Sequence, residues 1–129
     1  MTKTLKKSKK SGRVVEDVVV HINATYNNTH ITVSDLEGNV LTWSTGGKVG
    51  YKGARESTPY VAGLIATEVI EEAQRLHGVK NAKLFVKGIG AGRDQAIRGV
   101  VNTGINIDEV QDVTPIPYNG CKKKKVRKL

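Results

Sequence analysis

The stretch DVVVHINATYNNTHITVS, residues 17–34, alternates twice around a turn and so decides the fold class. Val18, Val20, Ile22 and Ala24 fall on one face of an extended segment, with Asp17, Val19, His21 and Asn23 on the other. Ile31 and Val33 then alternate with His30, Thr32 and Ser34. Such alternation marks half-buried strands, and Thr25-Tyr26-Asn27-Asn28 between them supplies the turn chemistry of a hairpin. Glu37-Gly38-Asn39 turns the chain again into a third strand at Val40 to Thr45, which makes an antiparallel meander.

Beyond Thr45 the period lengthens. Thr58 is placed to cap a helix whose first position is Pro59, where a missing N–H costs nothing. Val61, Ile65, Val69, Ala73 and Leu76 recur at helical spacing, and Gly78 ends the run. Glu68, Glu71, Glu72 and Arg75 take the opposite side, an acidic face turned outward. Ala82 to Val86 is apolar on both faces, with Leu84 and Val86 against Phe85, the pattern of a strand covered on both sides. A short helix follows with Ala96, Ile97, Val100 and Val101 inward, and Ile105 to Val113 closes as a strand. Its alternation slips between Ile107 and Val110, which predicts a bulge or bend. The order β-β-β-α-β-α-β predicts an α/β fold: one domain, a mixed sheet of about five strands, and two main helices packed on it.

The chain has 129 residues, enough for one modest core, and a single cysteine, Cys121, which fits a reducing compartment. No apolar run suggests a secretory signal, and none approaches the roughly 20 residues of a membrane span. A soluble, cytoplasmic protein is expected. The formal charge of +9 is unevenly placed. Residues 1–13 form a basic N-terminal arm, with Lys6, Lys7, Lys9, Lys10 and Arg13 among its six bases and no acid. Residues 122–129 form a basic tail carrying Lys122, Lys123, Lys124, Lys125, Arg127 and Lys128, again without an acid. The body, residues 14–121, keeps nine bases against all twelve acids. Two cationic arms, too polar to bury, on a slightly acidic body point to a large polyanion, and nucleic acid is the expected partner.

Two glycine-rich loops could meet that partner. GGKVGYKGAR, residues 46–55, sets Lys48, Tyr51, Lys52 and Arg55 among glycines, giving cations and a stackable aromatic on a pliable backbone. The plain alternative is a solvated surface loop. KGIGAGR, residues 87–93, sets Lys87, Gly88, Gly90, Gly92 and Arg93 between a strand and a helix, with Arg98 one turn further on. Backbone N–H groups there could cradle phosphate at a helix N-terminus. The same glycines could equally serve a tight strand-to-helix turn, and the spacing matches neither the dinucleotide nor the P-loop fingerprint. Catalytic signals are poor. His21 and His30 share a polar strand face with no nucleophile tied to them, and Cys121 with three scattered histidines does not make a zinc site. No cofactor, no metal and no enzymatic activity are expected.

The segments NATYNNTHITVSDLEGNVL, GYKGARESTPYVA, VKGIGAGRDQAIRG and above all DVTPIPYNGC together resemble the bacterial-type small-subunit ribosomal protein eleven family, in order and spacing, from about Val14 to Cys121. The resemblance implies a protein of the small-subunit platform that bridges helices of small-subunit ribosomal RNA and helps shape the messenger-RNA (Shine-Dalgarno) cleft. The neighbours it implies are small-subunit ribosomal proteins seven, eighteen and twenty-one, with initiation factor three close by. By position it assigns RNA contact to the N-terminal arm, Lys48, Lys52, Arg55, Gly88 to Arg93, and Asn119 and Gly120 through the tail. Asn27 and Asn28 in the first turn join this set. Asn119-Gly120-Cys121 favours a bacterial or organellar ribosome. The chain departs from the family where Lys122 to Lys125 replace an Arg-Pro-Pro exit, at Glu56, where a base is usual, and at Ile89 and Ala91, where prolines are.

Two rivals make different predictions. A basic protein that coats nucleic acid without a fixed site would bind duplex DNA and structured RNA equally at matched salt. A nucleotide-dependent or RNA-processing enzyme built on residues 88–92 would bind free nucleotide, but the sequence offers no carboxylate cluster to hold its metal.

Overall fold

The structure, a computed structural model, describes residues 14–125. Three strands come first: β1 (Asp17–Ala24), β2 (Thr29–Ser34) and β3 (Val40–Thr45). A 3-10 turn (Gly53–Ser57) leads into helix α1 (Pro59–His77), followed by β4 (Asn81–Lys87), helix α2 (Arg93–Asn102) and β5 (Asn106–Asp112). They form one five-stranded sheet in the order β3-β2-β1-β4-β5. β1 pairs antiparallel with β2, and β2 with β3, as short turns allow. β1 pairs parallel with β4, and β4 with β5, because each helix carries the chain back across the sheet.

The α1 boundaries follow their local chemistry. The Thr58 hydroxyl accepts the Val61 N–H at 3.4 Å, Pro59 takes the first turn, and Gly78 adopts a left-handed φ of 66° that releases the chain. Val61, Ile65, Ala66, Val69, Ile70 and Ala73 are fully buried against Val18, Val20, Ile22, Ile31 and Val33 of the sheet. Removing each such aliphatic side chain from water contributes roughly 1.5–3 kcal/mol. At the C-terminal end Leu76 is only half-buried, and His77 takes the inward place.

Two expectations about burial are corrected. β4 is covered on one face only: Leu84 and Val86 are buried, but Phe85 lies half-buried on the opposite face. Both helices lie on the same side of the sheet, so Trp43, Thr32, His21 and Phe85 form a registered row on an open face. Val101 is 52% exposed and points outward. The inward side of α2 is Ala96, Gly99 and Val100, with Ile97 half-buried against the core. A Cβ on Gly99 would stand 2.8 Å from that of Ala66, so α2 approaches α1 more closely than a larger residue allows. The predicted slip in β5 is present: the register with β4 shifts between Ala82 and Lys83, leaving Asp108 unpaired. A second shift, opposite Val33 and Ser34, leaves Leu41 unpaired and has no clear mark in the sequence.

Candidate nucleic-acid interface

β3 runs parallel to β1 because two antiparallel pairings separate them, and β4 and β5 also run with β1. The carboxyl ends of four strands and the start of both helices therefore share one edge of the sheet. Ligands of open α/β sheets bind at this edge. The first turn, the two glycine-rich loops and the segment after β5 all emerge there. The N-terminal arm joins at the other end, where the Val15 N–H donates to His77 O at 2.9 Å. Its bases Lys6, Lys7, Lys9, Lys10 and Arg13 lie outside the described residues, as do Arg127 and Lys128 of the tail.

The first turn is built by its own side chains. The Thr25 hydroxyl donates to Asn28 O at 2.9 Å and accepts the Asn28 N–H at 3.0 Å. Asn28 then spans loops: its Oδ1 accepts the Thr29 N–H at 2.7 Å and the Gly46 N–H at 3.1 Å. Asn28 thereby fixes the exit of β3, while Asn27 beside it is exposed. Gly46 has no room for a side chain, since a Cβ would stand 2.9 Å from both Asn28 Oδ1 and Glu56 Cβ.

The loop that follows has an anchored half and an open half. The Lys48 ammonium donates to the Trp43 carbonyl at 2.9 Å, lies 4.9 Å from the centre of the Trp43 ring, and stands 3.9 Å from Glu72 Oε1. That lysine is tied to the fold. Tyr51 packs half-buried against the core, and its N–H donates to Gly46 O at 3.1 Å. Lys52 and Arg55 are exposed and border a shallow pocket with Gly50 and Tyr51.

The second glycine loop answers the question the sequence left open. The Gly90 N–H donates to Ala24 O at 2.9 Å, and the Gly88 N–H to the Thr114 hydroxyl at 3.1 Å. A Cβ on Gly88 would lie 2.2 Å from Ala24 O, and one on Gly90 2.1 Å from Thr25 O. A Cβ on Gly92 would lie 2.6 Å from Thr29 Oγ1 and 2.7 Å from Ala62 Cβ. These glycines let the loop lie against the end of β1. A phosphate cradle made of the Gly88 and Gly90 amides is therefore corrected: both amides are already committed inward.

Arg93 is committed too. Its guanidinium donates to Gly88 O at 2.8 Å and pairs with Asp112 Oδ2 at 3.1 Å. Asp112 Oδ1 accepts the Thr114 hydroxyl at 2.6 Å and the Thr114 N–H at 3.0 Å. Those Thr114 hydrogen bonds, with Arg93 behind them, hold the Asp112 carboxyl down to about 2. This latch joins the glycine loop to the chain leaving β5 and sets where the C-terminal segment departs. Residues 115–125 of that segment are exposed, with Asn119 in a left-handed conformation at φ 62°. Asn119, Gly120 and Lys122 to Lys125 present themselves to solvent, as do Lys87 and Arg98.

Aromatic and apolar residues on the loops were not singled out from sequence. Tyr26 is 73% exposed and Tyr118 95%, while Ile89 is also largely uncovered. Their signal was an aromatic or large aliphatic residue set among turn formers, off any helix or strand period. His21 and His30 lie on the open sheet face on adjacent strands. His21 Nε2 stands 3.2 Å from Ser34 Oγ, and its ring meets the edge of Phe85 at 5.8 Å. Burial, then the charge of Lys87, lowers the His21 pKa, so the ring is neutral near pH 7. Among the described residues no group of three His, Cys, Asp or Glu is placed to hold a metal, and no helix is long and apolar enough to cross a membrane.

Residues 18–128 match the family model described as ribosomal protein S11. Three curated relatives carry the description small ribosomal subunit protein uS11. That of Thermotoga maritima is 50% identical over 123 residues, covering 95% of this chain and 94% of its own. That of Aquifex aeolicus is 49% identical over 117 residues, covering 91% and 93%. That of Mycoplasmoides gallisepticum is 45% identical over 118 residues, covering 92% and 97%.

Proposed function

From the chain's place in the ribosomal protein S11 family, to which it belongs, we propose that it is a structural constituent of the small ribosomal subunit that binds and bridges helices of ribosomal RNA on the platform and helps form the messenger-RNA cleft. The observation that carries this reading is the convergence of the first turn, both glycine-rich loops and the start of the segment after β5 on one end of the sheet, with Lys52, Arg55 and Lys87 exposed there. A solid edge with several separated cationic points can hold two RNA helices in fixed relation, which a single flexible tail cannot. Small-subunit proteins seven, eighteen and twenty-one and initiation factor three are its proposed neighbours, in the cytoplasm. The protein acts by binding, with no catalytic step.

Within this reading the residues divide their work. Residues 1–13 and 122–129 supply attraction that depends on charge, because extended lysines read phosphate and not sequence. Residues 14–121 supply discrimination of shape and unpaired bases, through Lys52, Arg55, Lys87, Arg98 and Asn27 with the aromatics Tyr26 and Tyr118. Lys48, Asn28, Arg93, Gly88, Gly90 and Gly92 act by holding these loops in place.

The test is a salt titration of a platform RNA fragment and an unrelated hairpin. If roughly six tail residues displace counterions, affinity falls about a thousandfold between 50 and 200 mM salt. Removal of residues 122–129 should flatten that slope and keep the preference for platform RNA. The double substitution Lys52→Glu, Arg55→Glu should abolish the preference. Equal affinity of the intact protein for duplex DNA and both RNAs at matched salt would replace this reading with a non-specific coat.

A further inference from the structure

The sheet has two free edges, and they are finished differently. At the β3 edge the Lys48 ammonium occupies the Trp43 carbonyl and covers the Trp43 ring, so a cation closes the strand. The β5 edge has no such closure among the described residues. The Val113 N–H points inward, to Val86 O at 2.8 Å. Alternation along an extended strand then turns Gln111 and Glu109 toward β4, and Val110 and Asp112 away from it. β5 thus presents open main-chain donors and acceptors to solvent.

Two more features mark this edge. Val110 pairs in register with the fully buried Leu84, yet it is 53% exposed. The helical layer buries the inward faces of β1, β2, β3 and β4, and on β5 Ile107 still packs against the core while Val110 lies beyond that cover. The charge is one-sided: Asp108, Glu109 and Asp112 are the only ionisable side chains of β5. Asp112 is taken by Arg93, while Asp108 and Glu109 are in no ion pair among the described residues. An open backbone, an apolar step and carboxylates form a surface that repels RNA and fits an extended cationic peptide.

We infer that the free edge of β5 docks a lysine- or arginine-rich extended segment of another protein, which adds to the sheet as a sixth strand. Main-chain hydrogen bonds supply affinity in strand addition, and alternate side chains supply selectivity. Valine-like residues of the segment would lie on Val110, and its bases would meet Asp108 and Glu109. A second copy of this chain is disfavoured by the same carboxylates, because two β5 edges would set like charges against each other. The bulge at Asp108 reinforces that discrimination by admitting a segment that tolerates the local twist.

The experiment uses the full chain, isotope-labelled, with an alternating valine–lysine octapeptide as probe. A peptide of equal charge with proline at alternate positions is the control, because it cannot donate to a ladder. The expected result is slowed amide exchange and shifted resonances confined to residues 106–112 with the first peptide and not the second. The surface pair Asp108→Lys, Glu109→Lys should weaken binding by about tenfold or more with an unchanged circular dichroism spectrum. Val110→Pro should weaken it similarly, since its N–H faces solvent and an edge strand accepts proline there. The charge-reversed pair decides the matter if the proline variant fails to fold. Equal binding of the proline peptide, no binding at millimolar peptide, or perturbation centred on the loop edge would each overturn the proposal. So would protection of β5 by an RNA hairpin, or a dimer of the chain alone that the charge-reversed pair alters.

Discussion

Adding one methyl group at residue 90 should unfold the protein more readily without touching its attraction for RNA. A Cβ on Gly90 would sit 2.1 Å from Thr25 O, 2.7 Å from Thr25 C and 2.9 Å from Ala24 C. All three atoms are backbone, so no side chain can swing aside; the loop must lift from the end of β1. Lifting breaks the 2.9 Å bond from the Gly90 N–H to Ala24 O in a place where Gly90 itself is buried. Overpacking of this kind costs about 1–3 kcal/mol, and stranding a buried donor costs about 1–3 kcal/mol more. Gly90→Ala should therefore lose about 2–6 kcal/mol of a total near 5–15 kcal/mol. With a urea dependence of roughly 2 kcal/mol per molar, the midpoint should fall by roughly 1–3 M. The assay is urea unfolding followed by circular dichroism and by Trp43 fluorescence, with Ala91→Ser, exposed in the same loop, as the control expected within about 0.5 kcal/mol of the parent. Below its transition the Gly90→Ala protein should bind RNA with the parental salt slope. An unchanged midpoint together with weakened RNA binding would refute this reasoning and return the loop to phosphate recognition.

The other expectations concern the latch and a helix cap. The Asp112 carboxyl should titrate near 2 by NMR, and Thr114→Val, which removes the largest cause of the depression, should move it back toward 3.8. Because the folded pKa is the lower one, the latch stabilises the fold above about pH 4 and loses that contribution as pH falls toward 2; Asp112→Asn should flatten the stability profile in that window. Thr58→Ala removes the hydroxyl that caps α1 and should cost about 1 kcal/mol in the same urea assay; no loss would mean the Val61 N–H finds water at no penalty.

Strand and helix identities were legible because each rests on a period written over consecutive residues. Val18-Val20-Ile22 alternates, Val61-Ile65-Val69 repeats at the helical interval, and Thr58-Pro59 with Gly78 punctuates the helix ends. The slip at Asp108 could be read for the same reason, as a break in a local rhythm. The charge distribution was equally a property of the string. Covering of β4 on one face was not legible, because an apolar strand reads alike whether a helix or only solvent lies over its second face. Val101 was misjudged in the same way: its place in the period suited the core, but the closeness of α2 to α1 at Gly99 turned it outward.

What the sequence by itself determined was the set of elements, their order, and the gathering of positive charge into two arms. What only the tertiary structure decided was which cations of the body are free and which are tied to the fold. Lys48 is held by Trp43 and Glu72, and Arg93 by Gly88 and Asp112, whereas Lys52, Arg55 and Lys87 are left exposed. All five look alike along the chain, each a base in or beside a glycine-rich loop. Their fates differ because an ion pair depends on which distant segment the fold brings within about 4 Å, and because short-range contacts of this kind are set by sheet register. The glycines were ambiguous for the same reason: whether an N–H points at a phosphate or at Ala24 O is fixed by β1 lying against the loop, a contact between residues 66 positions apart.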